Sequence, residues 1–444
     1  MGWLYRYETM AIQAWILSTG RMKDLVGGSN VIEALGAFAR ERATACGGLV
    51  HYAAAGGATI EFPDTSGLER FARWWPVAVD EQAPGLPIVQ SWVEQGSDDV
   101  SRLYAALATS RNRSRVALPE AGPWLRRPPR TGLPATEWRD GTSVDRMTAA
   151  QQDAARDGRD ELRATLARPQ GCGLVDPNRL GQCARLAVIH ADGNGIGRRI
   201  RQLNLQEVAE FSNTLARATK MAARRATMVV EDDDRVAWLR PVVLGGDDLT
   251  VLVRAADALP FVRAYLNAFE EETGALTACV GVAIVPSSWP FAEAHTLAEQ
   301  LCGAAKTGMR RDDGTPSGVA FHRVKTALTG DWSQVVEDEL TVDGGVLTDG
   351  PYGLERLPKL LDLVRVLRKL PRGTVRQWLA LQHASGARAD RHWQRAQEVA
   401  HNDDWTDLQN ALAALGAGPD GWRHAGGKRR TPIGDALSLA SGAP

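Results

Sequence analysis

The sequence predicts an α+β fold in which two ferredoxin-like βαββαβ units are followed by a C-terminal helical region. Three observations predict it. The order strand, helix, hairpin, helix, strand is read over residues 1–112 and again over 185–330. The two copies share a frame, because AAAGGATIEF (53–62) and VVLGGDDLTVLV (242–253) both run apolar, Gly-Gly, two residues, apolar. From residue 351 onward apolar residues recur at helical spacing, so 331–444 is read as a small helical domain.

In the first unit, WLYRYETMAIQAWIL (3–17) mixes aromatic and branched residues and reads as an opening strand running into a turn. Gly28-Ser29-Asn30 offers an N-cap to a helix over VIEALGAFARERAT (31–44), which Cys46-Gly47-Gly48 ends. A hairpin around Gly56-Gly57, a helix over SGLERFARWWPVAV (66–79) and a strand within GLPIVQSWVEQG (85–96) complete it. Residues 113–184 turn rich in Arg, Pro and Gly and read as a linker, with a polar, Ala-rich bridging helix at 147–167 whose arginines form a solvated face.

The second unit opens on LAVIHAD (186–192), a buried strand ending in Asp192, followed by the turn GNGIG (193–197) and a long helix from Asn204. The hairpin comes next, then a helix over 258–274 stopped by Gly274, a strand within ALTACVGVAIVP (275–286), a helix over 291–311 carrying Lys306, Arg310 and Arg311, and a closing strand at 317–324. Farther on, GGKRRTP (426–432) reads as a basic, solvated loop.

With 52 basic and 53 acidic residues the net charge is −1, so a polyanionic partner would have to be met by local patches. No apolar run approaches the roughly 18 residues of a membrane span and no leader is evident at the start, so a cytoplasmic protein is expected. Five scattered cysteines without a CxxC pair argue against a disulfide framework and against a zinc ribbon. None of the eight histidines is followed by Asp, so the dyad of metal-dependent phosphohydrolases is missing.

Chemistry concentrates at Gly245-Gly246-Asp247-Asp248. Two apolar strands flank it, so both carboxylates sit at a hairpin tip and repel each other. A solvated turn is one reading and a divalent-cation site the other. In a βαββαβ unit the first strand neighbours the central hairpin, which brings Asp192 beside Asp247 and Asp248. Three convergent carboxylates suit Mg²⁺ or Mn²⁺ as a pair of ions, and the chemistry implied is nucleotidyl transfer. Gly193, Asn194, Gly195 and Gly197 can turn backbone N–H groups toward an anion, the natural place for a triphosphate. Lys306 is read both as a phosphate ligand and as a surface lysine; His190 shares a strand face with Asp192 and reads as a packed neighbour.

At these residues the sequence resembles the large polymerase-like subunit of type III CRISPR effector complexes, which has paired palm domains with GGDD in the second. IQAWILSTGRMKDLVGGSNVIEAL looks like the start of the first palm, LAVIHADGNGIG like the metal-bearing strand and loop of the second, and PYGLERLPKLLDLVRVLRKLP like the opening of the family's helical domain. GGDEF-type cyclases are more distant relatives of the same palm. The resemblance implies joining of ATP into cyclic oligoadenylate messengers in antiviral defence. Asp192, Asp247 and Asp248 would hold the metal ions; the 193–197 loop, Gly245, Gly246 and Lys306 would meet the triphosphate; Ser29 would contact a nucleotide from the first palm. RNA and other effector subunits are the implied partners. Departures are the missing His-Asp nuclease motif, the absence of thiols around RTGLPAT (130–136), and a length short for such a subunit. Two further readings stand beside this one: a silent scaffold that binds nucleic acid or partner subunits, and a nucleotide sensor without turnover.

Overall fold

The computed structural model describes residues 2–54, 56–112, 122–156, 161–168, 172–230, 232–233, 235–274, 276–325 and 331–440. The first unit runs β1 (Trp3–Thr9), α1 (Ile12–Leu17), α2 (Met22–Ala45), β2 (Leu49–Ala54), β3 (Gly57–Phe62), α3 (Thr65–Gln82) and β4 (Ile88–Glu94), then α4 (Asp99–Arg111). Its sheet is antiparallel throughout, in the order β2-β3-β1-β4 that a ferredoxin-like unit requires. Alternation on β1 buries Tyr5 and Tyr7, which meet Phe71 and Trp75 of α3 at centroid distances of 5.2 and 4.7 Å.

The helix expected to begin at Val31 behind a Gly28-Ser29-Asn30 cap begins nine residues earlier, at Met22, and passes straight through the glycines. The cause is a distant contact. A Cβ on Gly27 would lie 1.7 Å from the Gln151 carbonyl oxygen, so Gly27 marks a helix crossing and not a helix start.

Between the units come the hairpin β5 (Glu137–Arg139) and β6 (Thr142–Val144), then α5 (Arg146–Arg156), α6 (Glu161–Leu166), β7 (Gly173–Leu174) and α7 (Pro177–Leu180). Within the expected bridging helix over 147–167 the chain forms α5 and α6; residues 157–160 between them, like 113–121 and 169–171 of the expected linker, lie outside the described residues. The face of α5 that meets α2 is buried, with Gln151 fully covered and its amide donating to the Trp15 carbonyl at 2.8 Å.

The second unit comprises β8 (Arg185–Gly193), α8 (Ile196–Ile200), α9 (Leu205–Thr227), β9 (Asp232–Asp233), β10 (Val236–Ala237), β11 (Leu239–Gly245), β12 (Asp248–Arg254), α10 (Ala258–Thr273), β13 (Ala278–Pro286), α11 (Phe291–Met309) and β14 (Gly318–Arg323). Its sheet repeats the first in the order β11-β12-β8-β13, and β14 extends it parallel to β13. Alternation on β8 and β12 splits the core. Ile189, Ala191, Leu249 and Val251 face α9 and α10, whereas Val188 and Leu252 join the core of α11 and the first unit. Both faces of this sheet are therefore covered, and the first unit forms part of the cover.

The C-terminal region begins with α12 (Trp332–Val335), β15 (Thr341–Val342), β16 (Gly345–Val346) and β17 (Tyr352–Gly353), which closes the edge of the second sheet against β14. Then come α13 (Leu357–Lys369), α14 (Arg372–Ala384), α15 (Gly386–Val399), α16 (Asn402–Ala414), β18 (Arg423–Ala425), β19 (Lys428–Arg430) and α17 (Pro432–Ala440). Tryptophans organise its core: Trp393 packs on Trp378 and on Trp405 with ring centroids 5.1 Å apart in each pair. The expected loop at 426–432 is the tip and second strand of the hairpin β18–β19, and the Arg430 guanidinium donates to the Gly350 carbonyl at 2.8 Å.

Candidate functional site

Register places the acidic residues. Leu249 of β12 lies opposite Ala191 of β8, so the next residue outward on each strand is an aspartate, Asp248 beside Asp192. Asp248 also pairs with Gly245, leaving Gly246 and Asp247 as the two-residue hairpin turn. Gly246 takes φ +62°, a left-handed conformation that glycine adopts without steric cost. From α9 the Thr219 hydroxyl donates to the Gly246 carbonyl at 2.7 Å and pins the turn. Gly193 is small for a local reason as well: a Cβ there would sit 3.0 Å from the Asp247 Cβ and 2.7 Å from Ile196.

These carboxylates are short of compensating charge. Burial, followed by the charge of Asp192, pushes Asp247 up to about 6; burial, then the charges of Asp247 and Asp192, pushes Asp248 up to about 8. Lys306 of α11 is the near cation. Its ammonium donates to the Asp192 carboxylate and, at 3.1 Å, to the Gly193 carbonyl. Burial pulls the ammonium down, but the hydrogen bond and charge of Asp192 outweigh that effect and raise it. One ammonium thus serves three carboxylates. The donor set suits a hard divalent cation, whose charge would lower both raised pKa values. Among the described residues no three carboxylate, imidazole or thiol side chains close on a point at ligand distance, and Asp192 is turned to Lys306.

The remaining sequence candidates divide. Gly245 and Gly246 line the same cleft as Asp247 and Asp248, and Gly197 has open space where a side chain would be. Gly195 is left-handed at φ +71° and starts α8. Asn194 turns inward: its amide donates to the Thr277 hydroxyl and the Thr315 carbonyl, each at 3.1 Å, which ties the loop to β13. The Ser29 hydroxyl donates to the Val242 carbonyl of β11, so it fastens the first unit to the second while lining the cleft between them. His190 is a packed neighbour. It meets the Thr250 hydroxyl at 3.2 Å and His295 edge-on at 5.5 Å, and burial holds the two imidazoles down at about 4 and about 3.

The first unit presents its own hairpin to this cleft, and there the expected alignment of the two glycine pairs is corrected. Ala54 pairs with Gly57 and Gly57 with Glu8, while Tyr7 lies opposite Ala58. Matched to Gly245–Asp248 and Ala191–Leu249, Gly56 and Gly57 stand at the positions of Asp247 and Asp248, and Glu8 stands at that of Asp192. Ala58 and Thr59, which the shared frame aligns with the two aspartates, fall on Leu249 and Thr250 instead. The first hairpin has thus lost both tip acids yet keeps one acid on its opening strand. A Cβ on Gly57 would fall 2.4 Å from the Tyr7 carbonyl oxygen, so this strand pair is too close for an aspartate there.

Between the units lies a cavity of about 560 Å³ that takes Asp247 and Asp248 from one side and Arg6, Glu8, Tyr52 and Arg111 from the other. Neither spacing nor composition singles out these four. Arg6 donates to the Thr59 hydroxyl at 2.7 Å and to Glu8 at 3.0 Å, and Arg111 also pairs with Glu8. Burial raises the Tyr52 phenol, and the charge of Asp247 across the cleft is among the further causes. Arg6 and Glu8 share a face of β1 by alternation; that was legible, but which partner the face meets was not.

Residues 185–315 match the second palm domain of Cas10/Cmr2. No curated protein matches the chain. Among solved structures, the chain is similar to one of a Csm1–Csm4 cassette in complex with cA3, at 13% identity over 99% of this chain and 69% of the matched one, with a TM-score of 0.63. A cassette in complex with pppApApA gives 12% identity, coverage of 100% and 69%, and a TM-score of 0.56. Csm1 from T. onnurineus gives 16% identity, coverage of 93% and 69%, and 0.51. The chain spans 65% of the matched chain in the apo cassette.

Proposed function

We propose that this chain, with a Cas10/Cmr2-type second palm and the fold of Csm1, is a metal-dependent nucleotidyltransferase that joins ATP or other nucleoside triphosphates into cyclic oligonucleotides within a type III CRISPR-type effector. The observation that carries this reading is that register sets Asp192 beside Asp248, while Asp247 and Asp248 line a cleft shared by two palm-like units. That matched cassettes are in complex with cA3 and pppApApA supports it.

In the proposed reaction the 3′-hydroxyl of one nucleotide attacks the α-phosphorus of another and gives up its proton to solvent, a P–O bond forms, and pyrophosphate leaves with the electrons of the broken P–O bond. Mg²⁺ or Mn²⁺ held by Asp192, Asp247 and Asp248 would supply positive charge at the reacting phosphate. The protein's own residues position and exclude. Thr219 fixes the turn carrying Asp247, and the Ser29 tie to Val242 sets the separation of the two units. Lys306, already hydrogen-bonded beside Asp192, is placed to exchange that partner for a phosphate oxygen. Arg6 and Arg111 bring positive charge to the opposite wall, where a second nucleotide would lie.

Mass spectrometry of products from a mixed-triphosphate incubation with Mn²⁺ tests the reading. Cyclic or linear oligonucleotides are expected. The absence of any pyrophosphate-releasing product, with candidate RNA and effector subunits supplied, would leave the scaffold reading in its place.

A further inference from the structure

At the far end of the second sheet a different feature gathers cations. β8 begins at Arg185 and β14 ends at Arg323; Lys325 follows, and Arg376 of α14 approaches from the C-terminal region. Together with Ser438 of α17 these side chains line a pocket of about 290 Å³, and none of the described residues lining it is acidic. Glu339 and Asp435 line an adjoining, nearly closed pocket of about 20 Å³, which shares Arg323 and Lys325 with the first. There the buried Asp435 carboxylate accepts from the Tyr352 hydroxyl at 2.5 Å and from the Asp349 backbone N–H at 2.8 Å.

Two of the guanidiniums are held in place by neutral groups. Arg185 donates to the Val324 carbonyl at 3.1 Å and Arg323 to the Ser438 carbonyl at 2.8 Å. Each bond uses one of five N–H donors and contributes no negative charge. The arginines consequently repel one another: burial, then the charges of Arg185 and Arg376, pulls Arg323 below its ordinary value. In a chain of net charge −1, such a concentration of cationic side chains is local. Planar guanidiniums pinned at one edge present the remaining N–H groups as a fork, the geometry that suits phosphate oxygens.

We propose that this pocket is a second, phosphate-binding site, separate from the cleft between the units, that takes the phosphate groups of an RNA strand or of a free polyphosphate. A strand rise of about 3.3 Å per residue puts Arg185 about 23 Å from Asp192 along β8, so occupancy does not require the acidic cleft. The volume sits at the low end for ligand pockets, which suits a phosphate group with part of its ester and not a whole nucleoside triphosphate.

The test uses the full chain carrying Asp247→Ala with Asp248→Ala, which leaves the cationic pocket intact and separates this site from the cleft. Binding of a short fluorescein-labelled single-stranded RNA is followed by anisotropy across a salt series, and binding of inorganic tripolyphosphate by calorimetry. Lys325→Glu, an exposed position outside every strand and helix, should weaken binding about tenfold, the loss of one charge-assisted hydrogen bond, and lower the RNA salt slope by about 0.7. Arg185→Gln with Arg323→Gln should weaken it further, and circular dichroism checks that pair for folding. Weakening of RNA alone assigns the site to a nucleic-acid backbone, of tripolyphosphate alone to a free polyphosphate, and of both to phosphate in general. Unchanged binding of both probes in Lys325→Glu and in the double arginine variant, or no binding before substitution, overturns the proposal.

Discussion

Asp248→Asn gives the most direct physical test of the strain built into the GGDD turn. The Asp248 carboxyl moves from an ordinary 3.8 to about 8 through burial and the neighbouring aspartates. A raised acid pKa favours the protonated form, so the cost of keeping Asp248 in the fold is absent below pH 4, grows through the window from about 4 to about 8, and is complete above it. About four pH units at about 1.4 kcal/mol each sets a ceiling of about 5–6 kcal/mol. Because the side chain borders an open cleft, about half, roughly 2–3 kcal/mol, is the expected gain. Asparagine keeps the shape and removes the charge. Thermal unfolding without divalent cation should show the variant several degrees above the parent at pH 8 and level with it near pH 4. Mn²⁺ should stabilise the parent at pH 8 and have much less effect on the variant. Equal melting temperatures at both pH values, or an equal Mn²⁺ effect, would refute the argument that these carboxylates lack a counter-charge.

Other substitutions probe the supports. Gly193→Ala puts a methyl group 3.0 Å from the Asp247 Cβ and should cost about 1–3 kcal/mol by overpacking while displacing that aspartate, read by denaturant unfolding and by loss of turnover. Thr219→Val removes the donor to the Gly246 carbonyl and should cost about 1 kcal/mol in the same unfolding assay, with lower product yield. Lys306→Met should reduce product formation by about 10²-fold or more in a pyrophosphate-release assay and should lower the melting temperature, because Asp192 loses its cation.

Much of the architecture was legible because it rests on local periodicity. Alternation on LAVIHAD and VVLGGDDLTVLV, together with the glycine stop at Gly274, reproduces β8, the β11–β12 hairpin and the end of α10. What escaped depends on long-range packing. Gly28-Ser29-Asn30 looked like a cap because the reason for the neighbouring Gly27 to be small, the carbonyl of Gln151, lies more than a hundred residues away. Aligning Gly56-Gly57 with Gly245-Gly246 matched composition, yet hairpin register is set by which residues close the turn, and that slips the match by two positions. That the strand carrying Asp192 neighbours the one carrying Asp248 followed from topology alone. The inward turn of Asn194, the Ser29 tie to Val242 and the approach of Tyr52 to Asp247 depend on how loops and units dock, which strand and helix patterns do not encode.

In the proposed function the acids at the cleft perform chemistry and are not needed for the fold. The measurement that tests it compares the chain with its Asp247→Ala, Asp248→Ala variant, following pyrophosphate released from ATP with Mn²⁺ alongside the melting temperature of each. Release is expected from the first, none above background from the second, and a variant at least as stable as the parent at pH 8. Equal release by both proteins would contradict it.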